Sequence, residues 1–419
     1  MSLPCNTKAT MFHNLRLVLA VIFVVALAGC ASTPTPGKAE AAPQAAEAVP
    51  QAAEAIPQAA EVKAVPAKPA EKERQPLRVG VYTDDGASGI GALEWLRIVE
   101  GSPEMELAML SGADVRGGAL DNVDVFVMPG GNSKTEYASL GTNGVEKMRA
   151  FVRNGGTYLG TCAGCCLLMD GPSQRARMIP WNSGGSIENT LFLTVDVNAD
   201  GAKALGIPKG GHRMRYHGGP FMWPTTNRID GADFALWGTY DAAASFKNGS
   251  SPHRKMHGAA AIVGGTYGKG RVFVTALHPE YFDSTRYVVA AAFKWLTGRE
   301  VSFPVRQKKP GLLVVGVLPG GKATGGKVGL AIDAADDMVL VPLDSDGIFQ
   351  GRLEQVDAVV ACGGGISKSK RSMDALKAFA ERGGRLYALD GGKAVLPKGH
   401  GTVVPTDPEK VLAALREVK

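Results

Sequence analysis

Gly160-Thr161-Cys162-Ala163-Gly164 sets a cysteine among small residues at the end of an apolar run. A tight strand-to-helix turn needs such neighbours, because the nucleophile's backbone is strained there and larger flanking side chains would collide. The spacing predicts a nucleophile elbow with Cys162 at its tip. The following helix, Ala163 to Met169, would aim its first N–H groups at the sulfur and favour thiolate over thiol. The Ala163 N–H would serve as one oxyanion donor. Gly130 and Gly131, bare backbone in the loop Pro129-Gly130-Gly131, would supply another. The partner lies far downstream, where the apolar strand Arg271 to Leu277 ends in His278-Pro279-Glu280. As base, His278 would take the thiol proton, and Glu280 would fix its tautomer. Pro279 keeps the backbone between them extended. Cys162, His278 and Glu280 are therefore the expected catalytic set.

The remaining cysteines and histidines admit blander readings. Cys162-Ala163-Gly164-Cys165 is also a C-x-x-C at a helix start, which predicts a Cys162–Cys165 disulfide if the site is redox-active. Cys165 and Cys166 otherwise fit first-turn core positions, and Cys362 a small buried hydrophobe. No second Cys or His pair stands at zinc-ligand spacing, so no metal is expected. His212, His253 and His257 read as polar loop residues. No cofactor is implied.

The elements that must position the site follow from short apolar runs. Leu77-Arg78-Val79-Gly80-Val81-Tyr82, Val123 to Met128 and Thr157 to Gly160 read as buried strands, the first followed by the Gly-rich turn Gly86 to Gly91. Leu93, Leu96 and Ile98 mark a helix after that turn. Val145, Met148, Phe151 and Val152 mark another, over Val145 to Arg153, stopped by Asn154-Gly155-Gly156. Strand–helix alternation with continuous apolar strands predicts a parallel sheet covered on both faces, a flavodoxin-like doubly wound α/β fold. Tyr267-Gly268-Lys269-Gly270 predicts a hairpin turn, and the strand after it would carry His278 to the sheet's carboxyl edge, where such folds bind ligands.

The pattern then repeats. Leu313 to Leu318 with Gly320 to Gly326 parallels the first strand and turn. Val356 to Gly364 parallels Val123 to Gly131, and helix Met373 to Arg382 with Gly383-Gly384 parallels Val145 to Gly156. Arg385 to Gly392 parallels Thr157 to Gly164. Two tandem lobes are expected, 77–300 and 310–419. In the second, Asp390 stands where Cys162 stands and no His-Pro-Glu follows, so that lobe is degenerate and without a nucleophile.

Taken together, G-x-C-x-G and a downstream His-x-Glu resemble the class I glutamine amidotransferase-like superfamily. Gly155 to Gly164 is most similar to the N-terminal domain of some eukaryotic biotin–protein ligases. Pro129-Gly130-Gly131 and Tyr216-His217-Gly218-Gly219-Pro220 resemble further motifs of that domain. The resemblance covers about 77–300 and implies a Cys-His-Glu site, with His217, Gly218 and Gly219 at the substrate. Ala163 and Cys165-Cys166 depart from the Leu-Gly-x-Gln continuation of glutamine-using members, which leaves the substrate open. No ligase domain is visible, so biotin transfer is not implied.

The N-terminal stretch reads as an address. Arg16 precedes the apolar run Leu17 to Leu27, and Leu27-Ala28-Gly29-Cys30 is similar to the bacterial lipobox. Eleven apolar residues match a signal-peptide core and are too short to span a bilayer of ~30 Å. The resemblance implies cleavage within 1–30 and lipid on Cys30, with Ala31 compatible with outer-membrane sorting in a Gram-negative cell. Met11 is an alternative start. Residues 31–76 repeat Pro-Gln-Ala-Ala-Glu with a proline every seventh residue, which interrupts any helix. They read as a disordered Ala/Pro/Glu-rich tether.

Composition narrows the class. With 45 % hydrophobic and 21 % charged residues the 419-residue chain is globular, of two or three domains. A charge of +6, few aromatics and no Lys/Arg run exclude nucleic acid as a partner. The expected protein is a lipid-anchored envelope amidohydrolase acting through a thioester on a small amide. The alternatives are a non-catalytic binding or scaffold module of the same fold, and the redox protein.

Overall fold

The computed structural model describes residues 75–171, 174–304, 310–320, 322–363, 370–389 and 396–417. Cys30, the tether to Arg74 and Asp390 lie outside the described residues. The chain enters through β1 (Leu77–Tyr82), α1 (Gly89–Glu100), β2 (Met105–Leu110), α2 (Gly112–Gly117), β3 (Val125–Met128), α3 (Ser133–Arg153), β4 (Thr157–Thr161) and α4 (Ala163–Leu168). An extension follows, made of β5 (Trp181–Ser183), β6 (Thr190–Val197), α5 (Ala199–Leu205), β7 (Gly210–His217), β8 (Met222–Pro224), β9 (Ala232–Tyr240), α6 (Ala242–Ser245) and α7 (Ser251–Met256). The strands β10 (Ala260–Tyr267) and β11 (Gly270–Thr275), with helix α8 (Arg286–Thr297), close the first lobe. The second lobe holds β12 (Leu313–Leu318), α9 (Ala323–Ala334), β13 (Met338–Pro342), α10 (Ser345–Phe349), β14 (Ala358–Ala361), α11 (Lys370–Glu381), β15 (Arg385–Ala388), β16 (Thr402–Val403) and α12 (Pro408–Arg416).

Each lobe is a doubly wound parallel sheet. In the first the order is β2-β1-β3-β4-β11, every neighbouring pair parallel. In the second it is β13-β12-β14-β15-β16, again all parallel. Both are the flavodoxin-like 2-1-3-4-5 order. β3 is buried at all four residues, as a strand between two helical layers must be. Beyond β11 the first sheet continues antiparallel through β10, β9, β6 and β7. The sequence showed that extension only at its Tyr267–Gly270 hairpin.

The copies agree in detail. Asp124 accepts the Arg78 N–H at 2.8 Å, and Asp357 accepts the Val314 N–H at 2.8 Å. Ser111 caps α2 and Asp344 caps α10, and each short helix ends near a left-handed glycine, Gly118 or Gly351, leading into a 3₁₀ turn. One predicted boundary moves. α3 begins at Ser133, twelve residues before the expected Val145, and breaks at Gly141 with φ 61° and ψ 173°. Its first half is mostly polar and exposed, so no apolar period announced it.

The lobes meet through the equivalent helices α1 and α9. Leu93 of α1 is fully buried in the core of the second lobe, with Val315, Val328 and Ile332. A Cβ on Gly326 would strike Leu96, and one on Gly329 would strike Leu93, so glycine at both positions lets the helices approach closely. Arg97 adds an ion pair to Asp333 at 3.2 Å.

Candidate functional site

Cys162 links β4 to α4 with φ 50° and ψ −103°, a positive φ that a residue with a side chain rarely adopts. Its N–H is held by the Thr275 carbonyl of β11 at 2.9 Å, and its carbonyl accepts the Cys166 N–H at 3.1 Å. Gly164 must be glycine, because a Cβ there would run into the Met128 carbonyl oxygen. The small residues around Cys162 therefore do what the elbow requires.

His278 lies just past the end of β11, 3 % exposed, its N–H bonded to the Arg215 carbonyl of β7 at 2.8 Å. Its Nδ1 meets Glu280 Oε1 at 2.9 Å, which fixes the ring's orientation and leaves Nε2 for exchange. Thr161 donates to the same carboxylate oxygen at 3.3 Å, with the Trp95 indole N–H 3.5 Å behind it. Arg286 reaches the Glu280 carbonyl at 3.4 Å and is itself paired with Glu94 at 3.2 Å. Helix α1, which carries the second lobe, thus also braces the acid.

Gly130 separates sulfur from ring. A Cβ at this position would lie 2.6 Å from His278 Cε1 and 3.1 Å from Cys162 Cβ, so both side chains face one point. Gly131 turns with φ 154°, pressed against the Gly86 carbonyl, and directs its N–H at the Cys162 sulfur. Cys162, His278 and Gly131 line one crevice of about 440 Å³ with Ser88, Asn132 and Tyr281. It opens at the carboxyl ends of β1 and β3, where this fold reverses strand order.

Three expectations are corrected. The thiolate is not the resting form: burial pushes the Cys162 thiol well up, with Cys166 and Glu136 adding to it and the Gly131 N–H opposing. The six-residue α4 does not outweigh that desolvation. The thiol instead donates to the His217 carbonyl at 3.3 Å. Gly219 does not line the crevice, since a Cβ on it would overlap the Ala276 carbonyl oxygen; its role is packing beside β11. His212 and His253 are not loop residues. His212 is buried on β7 between the Pro208 carbonyl and the Tyr287 hydroxyl, and His253 lies in α7, stacked on His257 at 5.3 Å.

The other expected residues fall as follows. His217 and Gly218 line the crevice, and Ala163 is buried directly behind Cys162. Cys165 turns its sulfur to Met222 Sδ at 3.2 Å, away from the crevice, and Cys362 packs in the second lobe's core. Sequence reasoning missed Arg215, Glu188, Asp344 and Asp346, all on the crevice wall. Arg215 stands two residues before His217 on β7, the position that strand alternation sends to the same face. Asp344 and Asp346 read locally only as a helix cap.

The fold and the site define a two-lobed flavodoxin-like α/β protein whose first lobe carries a strained cysteine facing a histidine–glutamate pair. Residues 120–167, from the turn before β3 through Cys162 into α4, match the family model described as biotin-protein ligase, N terminal. No curated protein matches the chain in sequence. Among solved structures, a protein described as ThuA-like from Bacteroides uniformis is 11 % identical, covering 56 % of this chain and 96 % of its own, with a TM-score of 0.40. PurLQS from Thermotoga maritima is 20 % identical over 53 % of this chain and 100 % of its own, TM-score 0.37. A GMP synthase chain from Thermoplasma acidophilum is 14 % identical over 54 % of this chain and 96 % of its own, TM-score 0.36.

Proposed function

We propose that the first lobe hydrolyses a small amide through a thioester on Cys162. The observation that carries this reading is the left-handed Cys162 backbone set across Gly130 from a His278 whose Nδ1 is locked by Glu280. As sulfur attacks the carbonyl carbon, the thiol proton passes to His278, and the Gly131 and Ala163 N–H groups receive the oxyanion. Collapse breaks the C–N bond, and the departing amine takes the proton from His278. Water then attacks the thioester, giving its proton to His278, and the acid leaves while the proton returns to sulfur. Because burial holds the resting thiol neutral, proton transfer to His278 belongs to the attack step.

A second reading, ligand binding without turnover, draws on one observation: at rest the thiol donates to the His217 carbonyl. Treatment with an electrophilic amide analogue, followed by mass spectrometry, separates the two. A selective adduct on Cys162 that is lost in His278→Ala supports hydrolysis; an unmodified Cys162 supports binding alone.

Cys30, the lipid anchor, and an envelope location complete the proposal, with the membrane as partner and residues 31–76 as spacer. Its support is the Leu-Ala-Gly-Cys sequence after an apolar run. Among the described residues no helix is long and apolar enough to cross a membrane. Metabolic labelling with a fatty-acid analogue, lost in Cys30→Ser, tests it.

A further inference from the structure

The crevice has walls from both lobes. Glu188, Arg215 and His217 stand on the first; Asp344 and Asp346, at the start of α10, stand on the second. Arg215 is buried, its guanidinium 4.1 Å from the centre of the Tyr281 ring, and it pairs with Asp344 at 3.5 Å. The crevice's one arginine is thereby matched to one carboxylate. Asp346 takes the Thr190 hydroxyl and lies 3.2 Å from His217 Nδ1. Burial, then Arg215, push the His217 ring below its ordinary value against the pull of Asp346, so at neutral pH it is uncharged and does not offset that carboxylate. Glu188 accepts the Ser186 hydroxyl, lies against Gly218 and forms no ion pair among the described residues.

Two carboxylates, one from each lobe, thus face the space beside the nucleophile without a matching cation. We infer that Glu188 and Asp346 select amides carrying a cationic group, an ammonium or guanidinium, next to the scissile bond. A partly enclosed cleft lined by one sign of charge focuses its field, attracting that cation and repelling anionic amides. The inference rests on Cys162 being the nucleophile of this crevice. It gives the second lobe, which brings no nucleophile of its own to the crevice, a part in specificity.

The test uses the full chain and three methanethiosulfonate reagents: aminoethyl (cationic), sulfonatoethyl (anionic) and methyl (neutral). Modification of Cys162 is followed by mass spectrometry, with Cys162→Ala identifying the peptide. The cation-to-anion rate ratio, divided by the same ratio for a simple thiol, is expected to be about 10 or more. It should fall toward one in Glu188→Gln/Asp346→Asn while the neutral reagent's rate holds. Glu188→Gln alone, at an exposed position, carries the test if Asp346→Asn disturbs the lobes. A wild-type ratio equal to that of the simple thiol, or one unmoved by these substitutions, overturns the inference and leaves the nucleophile standing. A Cys162 inert to all three reagents overturns both.

Discussion

The two lobes share a strand order, a hydrogen-bonded Asp under the first strand and a capped short helix, yet only one holds a reactive constellation. The difference is not in the sheet. Between Thr161 and Gly270 the first lobe carries an antiparallel extension whose β7 brings Arg215 and His217 beside Cys162, and whose β10 pairs with β11. Between Ala388 and Thr402 the second lobe has no room for such an insert, and β16 is two residues long. It ends in Val404-Pro405-Thr406, without an acid–base pair. A parallel sheet supplies a rim; chemistry needs a second set of strands to bring partners to it.

That contrast is sharpest at the sulfurs. Cys162→Ala is expected to abolish any hydrolysis, a loss of at least about 1,000-fold, whereas Cys362→Ala in the second lobe should leave it within about twofold, both read by initial rates on a responsive amide. Activity surviving Cys162→Ala would erase the distinction between the lobes. Next in size, Glu280→Gln keeps the shape but not the charge beside His278 Nδ1, and should reduce turnover by roughly 10² to 10⁴, with little change in thermal midpoint.

The lobes are coupled through Leu93, a first-lobe side chain buried in the second lobe's core. Leu93→Ala is expected to destabilise the protein by about 2–5 kcal/mol, measured by denaturant unfolding, and to split one calorimetric transition into two. A single unshifted transition would show that the helices α1 and α9 do not bind the lobes together. The smallest effect is on pH. Burial pushes Cys166 up to about 11 in the first lobe and Cys362 up to about 12 in the second. An unfolded thiol ionises near about 8.5, so above that pH unfolding releases protons. Their contribution to stability is full below about pH 8.5 and is lost as pH rises toward about 11 and about 12. Cys166→Ala and Cys362→Ala should each flatten the decline between about pH 9 and about pH 11 in unfolding titrations.

Much of the chain declares itself locally. Continuous apolar runs such as Val125 to Met128 announced buried parallel strands, because side chains covered on both faces must all be apolar. Gly160 to Gly164 announced the elbow, since only small residues fit that turn, and the doubled motifs announced two lobes. The first half of α3 stayed hidden, as polar exposed residues carry no period.

What the chain order settled was thus the strands, the elbow, the duplication and the residue types of the candidate triad. Only tertiary packing decided that Gly130 lies between Cys162 and His278, that burial keeps the thiol neutral, and that Asp344 and Asp346 face the first lobe's crevice. The reason is physical: backbone propensity and apolar period act over a few residues, whereas desolvation and charge pairing depend on whichever distant surfaces the α1–α9 contact brings together.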